Sequence, residues 1–190
     1  MKEYKLPIGC DVPETIILAD GDFPSHPLAL EWLRQCPYVV CCDGAANTYI
    51  RSGRMPEAIV GDGDSLLPDI KERYASLIHS EAEQETNDLS KAFRFCLSQE
   101  RKRITIMGAT GKREDHTIGN VSLLADYMEQ AEVSMMTDYG IFVPIREDSM
   151  FESYIGQQIS VFNMNRICFV LSLRECPPGR DSHDVSSPAY

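Results

Sequence analysis

Residues 38–65, YVVCCDGAANTYIRSGRMPEAIVGDGDS, hold two apolar runs separated by a helical stretch. YVVCC (38–42) is continuously apolar, as a strand covered on both faces requires. ANTYIRSG follows with helical character and closes on Gly53, a residue suited to ending a helix. AIV (58–60) returns as a short strand. Strand, helix, strand is the repeating unit of a parallel sheet, because parallel neighbours need a crossover between them.

The same alternation extends in both directions. TIILA (15–19) reads as a buried strand, and a helix is expected from Ser25 to Gln35, with LALEWL supplying its apolar face. A helix near PDIKERYA and a strand at LIHS (77–80) follow. In NDLSKAFRFCLSQ (87–99), Leu89, Ala92, Phe93, Cys96 and Leu97 recur at helical spacing. ITIM (104–107) and VSMMT (133–137) read as strands around a helix at HTIGNVSLLADYMEQ (116–130). The expectation is an α/β fold: a Rossmann-like, mainly parallel sheet with helices on both faces, spanning 1–138.

After Asp138 the helical patterns stop. IFVPI, FESYI and QISVF are short strand-like pieces between turn residues, so a small all-β unit is expected over 139–190. It ends in an irregular, Pro- and Ser-rich tail, CPPGRDSHDVSSPAY.

Composition narrows the function classes. With 190 residues, 43% of them hydrophobic, the chain can bury an ordinary core. Eighteen basic residues stand against 29 acidic ones, a formal charge of −11. That argues against nucleic acid or an anionic membrane as partner. An anionic small molecule stays open, since a divalent cation inverts the local field. The seven cysteines are odd in number and sit largely in apolar runs without a Cys-x-x-Cys pair, which suits reduced, buried thiols in a cytoplasmic protein. The start, MKEYKLPIGCDVPE, has no apolar stretch of signal-peptide type, and no run has the length of a membrane span.

In an open parallel sheet, ligands bind beyond the carboxyl ends of the strands. Four strand ends here carry acidic or glycine-rich loops: Asp20-Gly21-Asp22, Asp43-Gly44-Ala45-Ala46-Asn47, Gly61-Asp62-Gly63-Asp64-Ser65, and Gly108 through His116. Paired carboxylates at Asp62 and Asp64 suit Mg²⁺, which takes one or two carboxylates plus phosphate oxygens. The competing reading is that Asp64 or Ser65 caps the next helix. Asn87 or Asp88 suits a helix cap, and Lys91 one turn on either binds phosphate or pairs with Asp88 on a solvated surface. GATGKREDH is not a Walker A loop, because only Ala109 and Thr110 separate Gly108 from Gly111, and Arg113 follows Lys112. It remains a glycine-rich turn with a basic pair, suited to nucleotide phosphate. His116 reads equally as a cap, a core histidine or a ligand contact. Trp32 is expected in the core.

Taken in order, DGAAN (43–47), GDGDS (61–65), QETND with Lys91 and Ala92 (84–92) and GATGKREDHTIGN (108–120) resemble thiamine pyrophosphokinase. The resemblance runs from about residue 15 to about 163, with GQQISVF (156–162) similar to a strand of that family's second domain. It implies transfer of the diphosphate of ATP to the hydroxyl of thiamine, giving thiamine diphosphate and AMP, with Mg²⁺. It also implies an α/β domain followed by a β-sandwich, and a homodimer with thiamine near the subunit interface. By motif match, Asp43, Asp62, Asp64 and Asp88 form the acidic cluster that holds metal and carries catalysis, and one of them, such as Asp88, accepts the hydroxyl proton. Asn47, Ser65, Gln84 and Lys91 lie alongside, and Gly108, Gly111, Arg113, Asp115, His116 and Asn120 form the nucleotide side.

Ala45, Glu85 and Asn87 stand where the family commonly has glycine, aspartate and threonine. Residues 165–190 match none of its late motifs, so an incomplete sandwich is expected. Two rival readings remain: a nucleotide-dependent transferase or hydrolase with another acceptor, and an inactive nucleotide-binding module.

Overall fold

A computed structural model describes residues 2–5, 11–80, 86–163 and 167–172. Its strands are β1 (Lys2–Tyr4), β2 (Thr15–Leu18), β3 (Val39–Cys42), β4 (Ala58–Val60), β5 (Ile78–His79), β6 (Arg103–Met107), β7 (Glu132–Met136), β8 (Gly140–Ile145), β9 (Ser149–Phe151), β10 (Ile159–Asn163) and β11 (Ile167–Ser172). The helices are α1 (Pro27–Gln35), α2 (Ala45–Arg51), α3 (Pro68–Arg73), α4 (Asp88–Ser98) and α5 (Glu114–Tyr127).

Nine strands form one sheet in the order β10-β11-β8-β7-β6-β2-β3-β4-β5. From β7 to β5 every neighbouring pair is parallel. Beyond β7, strands β8, β11 and β10 pair antiparallel and continue the same sheet. Chain order runs outward from β2 through β3, β4 and β5, then returns to β6 on the other side of β2. The crevice between the carboxyl ends of β2 and β6 is therefore the switch point where a ligand is expected.

Alternation of side chains assigns the two faces. Ile16, Leu18, Val39, Cys41 and Ile59 join Ala29, Trp32 and Leu33 of α1 and Ala46 and Tyr49 of α2 in one cluster. Ile17, Val40, Cys42, Val60, Ile104 and Ile106 join Leu89, Ala92, Phe93 and Cys96 of α4 and Leu124 and Tyr127 of α5 in the other. Trp32 is core, and the thiols of Cys36, Cys41, Cys42 and Cys96 are free. Burial pushes the Cys41 and Cys42 thiols well up and raises that of Cys96 to about 12.

The structure departs from the sequence reading at particular places. The first helix starts at Pro27, not Ser25, because Asp138 accepts the backbone N–H groups of Ser25 and His26 and holds them outside the helix. The His26 ring nitrogen Nδ1 then caps it by accepting from Leu28 N–H. The last helix starts two residues earlier than expected, at Glu114. FESYI (151–155) is not a strand as a whole: Phe151 ends β9, and Gln157 N–H bonds back to Tyr154 O in a turn. That β9 pairs parallel with β1 in a separate two-stranded sheet. Part of 165–190 is ordered into β11, which inserts between β8 and β10. The expected tail, residues 176–190, lies outside the described residues, as does Gln84.

Candidate active site

Asp43 follows β3 directly, is only 3% exposed, and takes a positive φ of 34°. A non-glycine residue in that region carries strain on the order of 1 kcal/mol. Its Oδ2 accepts the backbone N–H of Ser65 at 3.0 Å, which ties the β3 loop to GDGDS. Its Oδ1 is buried and has no hydrogen-bond partner among the described residues. Burial raises the Asp43 carboxyl above its ordinary range, and the negative charges of Asp88 and Asp62 add to this against the Ser65 bonds. The Gly61 backbone passes so close that a Cβ there would lie 2.7 Å from Asp43 Cβ.

The GDGDS loop does not cap a helix. The residue before α3 is Leu67, without a side-chain cap, so the capping reading of Asp64 and Ser65 is corrected. Asp62 Oδ1 instead accepts Asp64 N–H at 3.1 Å and shapes the turn internally, leaving both carboxylates exposed. Lys71 donates to Gly63 O at 2.9 Å and so brings a cation against the middle of the loop. Asn47 closes it from the other side: its Nδ2 donates to Ser65 O at 2.7 Å, and its Oδ1 accepts Leu67 N–H at 3.0 Å. Both polar groups of Asn47 are therefore engaged in holding the loop.

Asn87 caps α4, its side chain accepting Ser90 N–H at 2.9 Å, which leaves the Asp88 side chain to other partners. Asp88 Oδ1 accepts from Lys91 Nζ at 3.1 Å. Of the two readings of Lys91 the pairing with Asp88 is present, but only one side of it is solvated, since the Lys91 side chain is 5% exposed against 36% for Asp88. The Cys42 thiol donates to the Asp88 carbonyl, which joins the start of α4 to the end of β3 beside Asp43.

On the far side of the crevice, Gly108 and Gly111 have φ of 65° and 79°, and any Cβ would collide with Ala19 O and the Asp22 carboxylate respectively. Gly21 N–H and Asp22 N–H donate to Gly108 O and Thr110 O, binding the β2 and β6 loops together. Asn120 Nδ2 donates to Ala109 O at 2.8 Å, and Asn120 Oδ1 accepts from the Asn87 cap at 3.3 Å, so Asn120 links this loop to α4. Arg113 and Asp115 form an exposed ion pair with each other, and His116 is exposed beside them. That pairing holds the Asp115 carboxyl below its ordinary value.

Among the described residues, no three His, Cys, Asp or Glu side chains gather closely enough to hold a metal by themselves. The donor chemistry nevertheless fits a hard cation completed by phosphate oxygens, because Asp43 Oδ1 is a buried oxygen in want of a partner. Two residues not assigned from the sequence stand at this edge: Lys71, on Gly63 O, and Asp20, which accepts from Lys112. The only sequence signal for Asp20 was its place after β2. Lys71 carried none beyond being a lysine on the helix after GDGDS.

The family model for the thiamin pyrophosphokinase catalytic domain matches residues 29–136, more than half of the chain. The model for the thiamin pyrophosphokinase substrate-binding domain matches residues 140–170, beyond the point near 163 where the motif resemblance stops. Thiamine pyrophosphokinase 1 of Oryza sativa subsp. japonica is 30% identical over 129 residues, covering 55% of this chain and 49% of that protein. Thiamine pyrophosphokinase of Bacillus subtilis (strain 168) is 34% identical over 86 residues, covering 43% and 40%. The chain spans about half the length, or less, of the curated relatives it matches. Among solved structures, yeast thiamin pyrophosphokinase shares the fold with a TM-score of 0.65 at 16% identity, covering 90% of this chain and 88% of that one. Thiamin pyrophosphokinase from Candida albicans gives 0.62 at 19%, covering 80% and 68%. With its motifs and both domain matches in agreement, the chain belongs to the thiamin pyrophosphokinase family.

Proposed function

We propose that this chain transfers the diphosphate of ATP to the hydroxyl of thiamine, giving thiamine diphosphate and AMP. The observation that carries the reading is the buried, unpartnered Asp43 Oδ1, pressed by the charges of Asp62 and Asp88 at the strand ends of a family member. Group transfer between phosphates asks the protein for positioning and charge neutralisation rather than a covalent intermediate. Carboxylates from the set Asp43, Asp62, Asp64 and Asp88, completed by phosphate oxygens, would hold Mg²⁺, and the ion would supply that neutralisation.

The chain's own residues do the rest. Ser65 N–H and the strained Asp43 backbone aim the buried carboxylate, and Asn47 keeps the GDGDS loop against it. Lys91, fixed to Asp88, offsets part of the negative charge. Asn120 holds the Gly108–Gly111 turn, where the nucleotide phosphates bind, and Arg113, Asp115 and His116 border that turn. The thiamine hydroxyl proton passes to a carboxylate of the same cluster. Gln84 is assigned beside the cluster on the motif match alone.

We place nucleotide binding in 1–138 and thiamine binding in 139–190, with two copies completing the thiamine site. Support for an apposed second copy is the outer strand β10, where Ile159, Val161 and Phe162 are exposed. The free cysteines suit the cytoplasm, and no helix among the described residues is long and apolar enough to cross a membrane.

Incubation with ATP, Mg²⁺ and thiamine, followed by separation of the products, tests the reading. AMP and thiamine diphosphate in equal amounts support it. ADP, or phosphate released without thiamine diphosphate, means another acceptor, and nucleotide binding without turnover means an inactive module.

A further inference from the structure

Lys112 combines two features that do not balance each other. Its backbone has φ of 56°, in the left-handed region, between the positive-φ Gly111 and the start of α5. A lysine there costs on the order of 1 kcal/mol relative to glycine. Its ammonium donates to Asp20 O at 2.9 Å and to Asp20 Oδ1 at 3.0 Å. The two side chains are 54% and 47% exposed, and an ion pair so exposed returns only about 0–1 kcal/mol. The contact with Asp20 at most offsets the strain and leaves no net gain for a lysine in that conformation.

The surroundings point to an anion as the missing partner. The turn from Gly108 to Lys112 follows β6 at the switch point and is bonded to the loop after β2, in a chain of net charge −11. Of the other cations here, Lys71 donates to Gly63 O, Lys91 is buried on Asp88 and Arg113 is paired to Asp115. Asp20 lies close to the start of α2, with its Oδ2 2.7 Å from where a Gly44 Cβ would stand, so the Lys112–Asp20 pair sits beside the loop after β3 that carries Asp43.

We propose that Lys112 is a contact for the polyphosphate of the nucleotide, and that Asp20 holds its place by occupying the ammonium until the nucleotide displaces it. This rests on the nucleotide-binding half of the function proposed above, not on thiamine as acceptor. The exchange is one of ionic partners, with no bond made or broken. Lys112 adds a positive charge toward phosphate, and Asp20 competes for that charge. Removing one therefore acts opposite to removing the other.

The test is calorimetric binding of Mg²⁺-ATP, and of inorganic pyrophosphate, to the wild type, Lys112→Gly, Asp20→Asn and the double variant. Lys112→Gly relieves the left-handed strain, so it should fold at least as stably as wild type and bind both anions about five- to tenfold more weakly. Asp20→Asn should bind them about threefold more tightly, with the gain absent in the double variant. All differences should shrink at high salt. Equal affinity in wild type and Lys112→Gly overturns the proposal, as does weakening by both single variants alike, the signature of a purely structural pair. A wild type that binds ATP and pyrophosphate but makes no thiamine diphosphate refutes the acceptor alone, and the variant affinities still decide the role of Lys112. A wild type that binds neither anion removes both proposals together.

Discussion

The Ser65 backbone N–H meets Asp43 Oδ2 at 3.0 Å, joining the loop after β3 to the loop after β4 across 22 residues of sequence. The bond satisfies one carboxylate oxygen and leaves Oδ1 buried without a partner among the described residues. An acidic group so placed is costly to keep charged unless a cation arrives.

Gly61→Ala places a methyl 2.7 Å from Asp43 Cβ, where backbone rather than a flexible tip must move. We expect stability to fall by about 1–3 kcal/mol and turnover by at least tenfold, from displacement of Asp43. Thermal unfolding and a turnover assay together check this. A variant with native stability and native rate would show that the close approach is tolerated.

Asn47→Ala removes both bonds that clamp Ser65 and Leu67. Loss of about 1–3 kcal/mol is expected, since it strands Leu67 N–H and the Ser65 carbonyl. In a chain of this size that lowers Tm by roughly 2–4 °C per kcal/mol. Asn47→Asp should restore the acceptor to Leu67 while repelling the cluster, so it should recover stability better than turnover.

Asp138 receives N–H and O–H bonds from Ser25 and His26, which fix the chain just before α1. Burial works against its charge, but these bonds outweigh burial and hold its carboxyl below the ordinary 3.8. A depressed folded-state value contributes stability that is present above the unfolded value and lost as pH falls through the folded one. The Asp138→Asn variant should therefore be less stable than wild type by about 1–3 kcal/mol between pH 6 and 8. The gap should narrow below about pH 4, as denaturant unfolding at several pH values will show.

The parallel strands were legible because burial on both faces leaves continuous apolar runs such as Ile16–Leu18 and Val39–Cys42. The strand-end loops were legible for the same reason: once the strands are placed, their carboxyl ends are placed too. Pairings between distant residues were not. Lys2–Tyr4 carries no period that announces a partner at Ser149–Phe151, and β11 lies between β8 and β10 out of chain order. Lys112 and Asp20 lie 92 positions apart, so neither loop alone indicates their contact. Asn47 was legible as part of the motif, but its work as a clamp on Ser65 and Leu67 depends on how α2 packs beside that loop.

The most direct measurement compares formation of AMP and thiamine diphosphate by wild type, Asp43→Asn and Asp62→Asn under saturating ATP, Mg²⁺ and thiamine. Removing a metal-binding carboxylate forfeits several kcal/mol of transition-state charge stabilisation, so turnover should fall by about a thousandfold or more in each variant. Asp43→Asn should unfold at or above the wild-type temperature, because its buried carboxyl is held at a raised pKa. Near-normal turnover in either folded variant would contradict the claim that these carboxylates, with Mg²⁺, carry the diphosphate to thiamine.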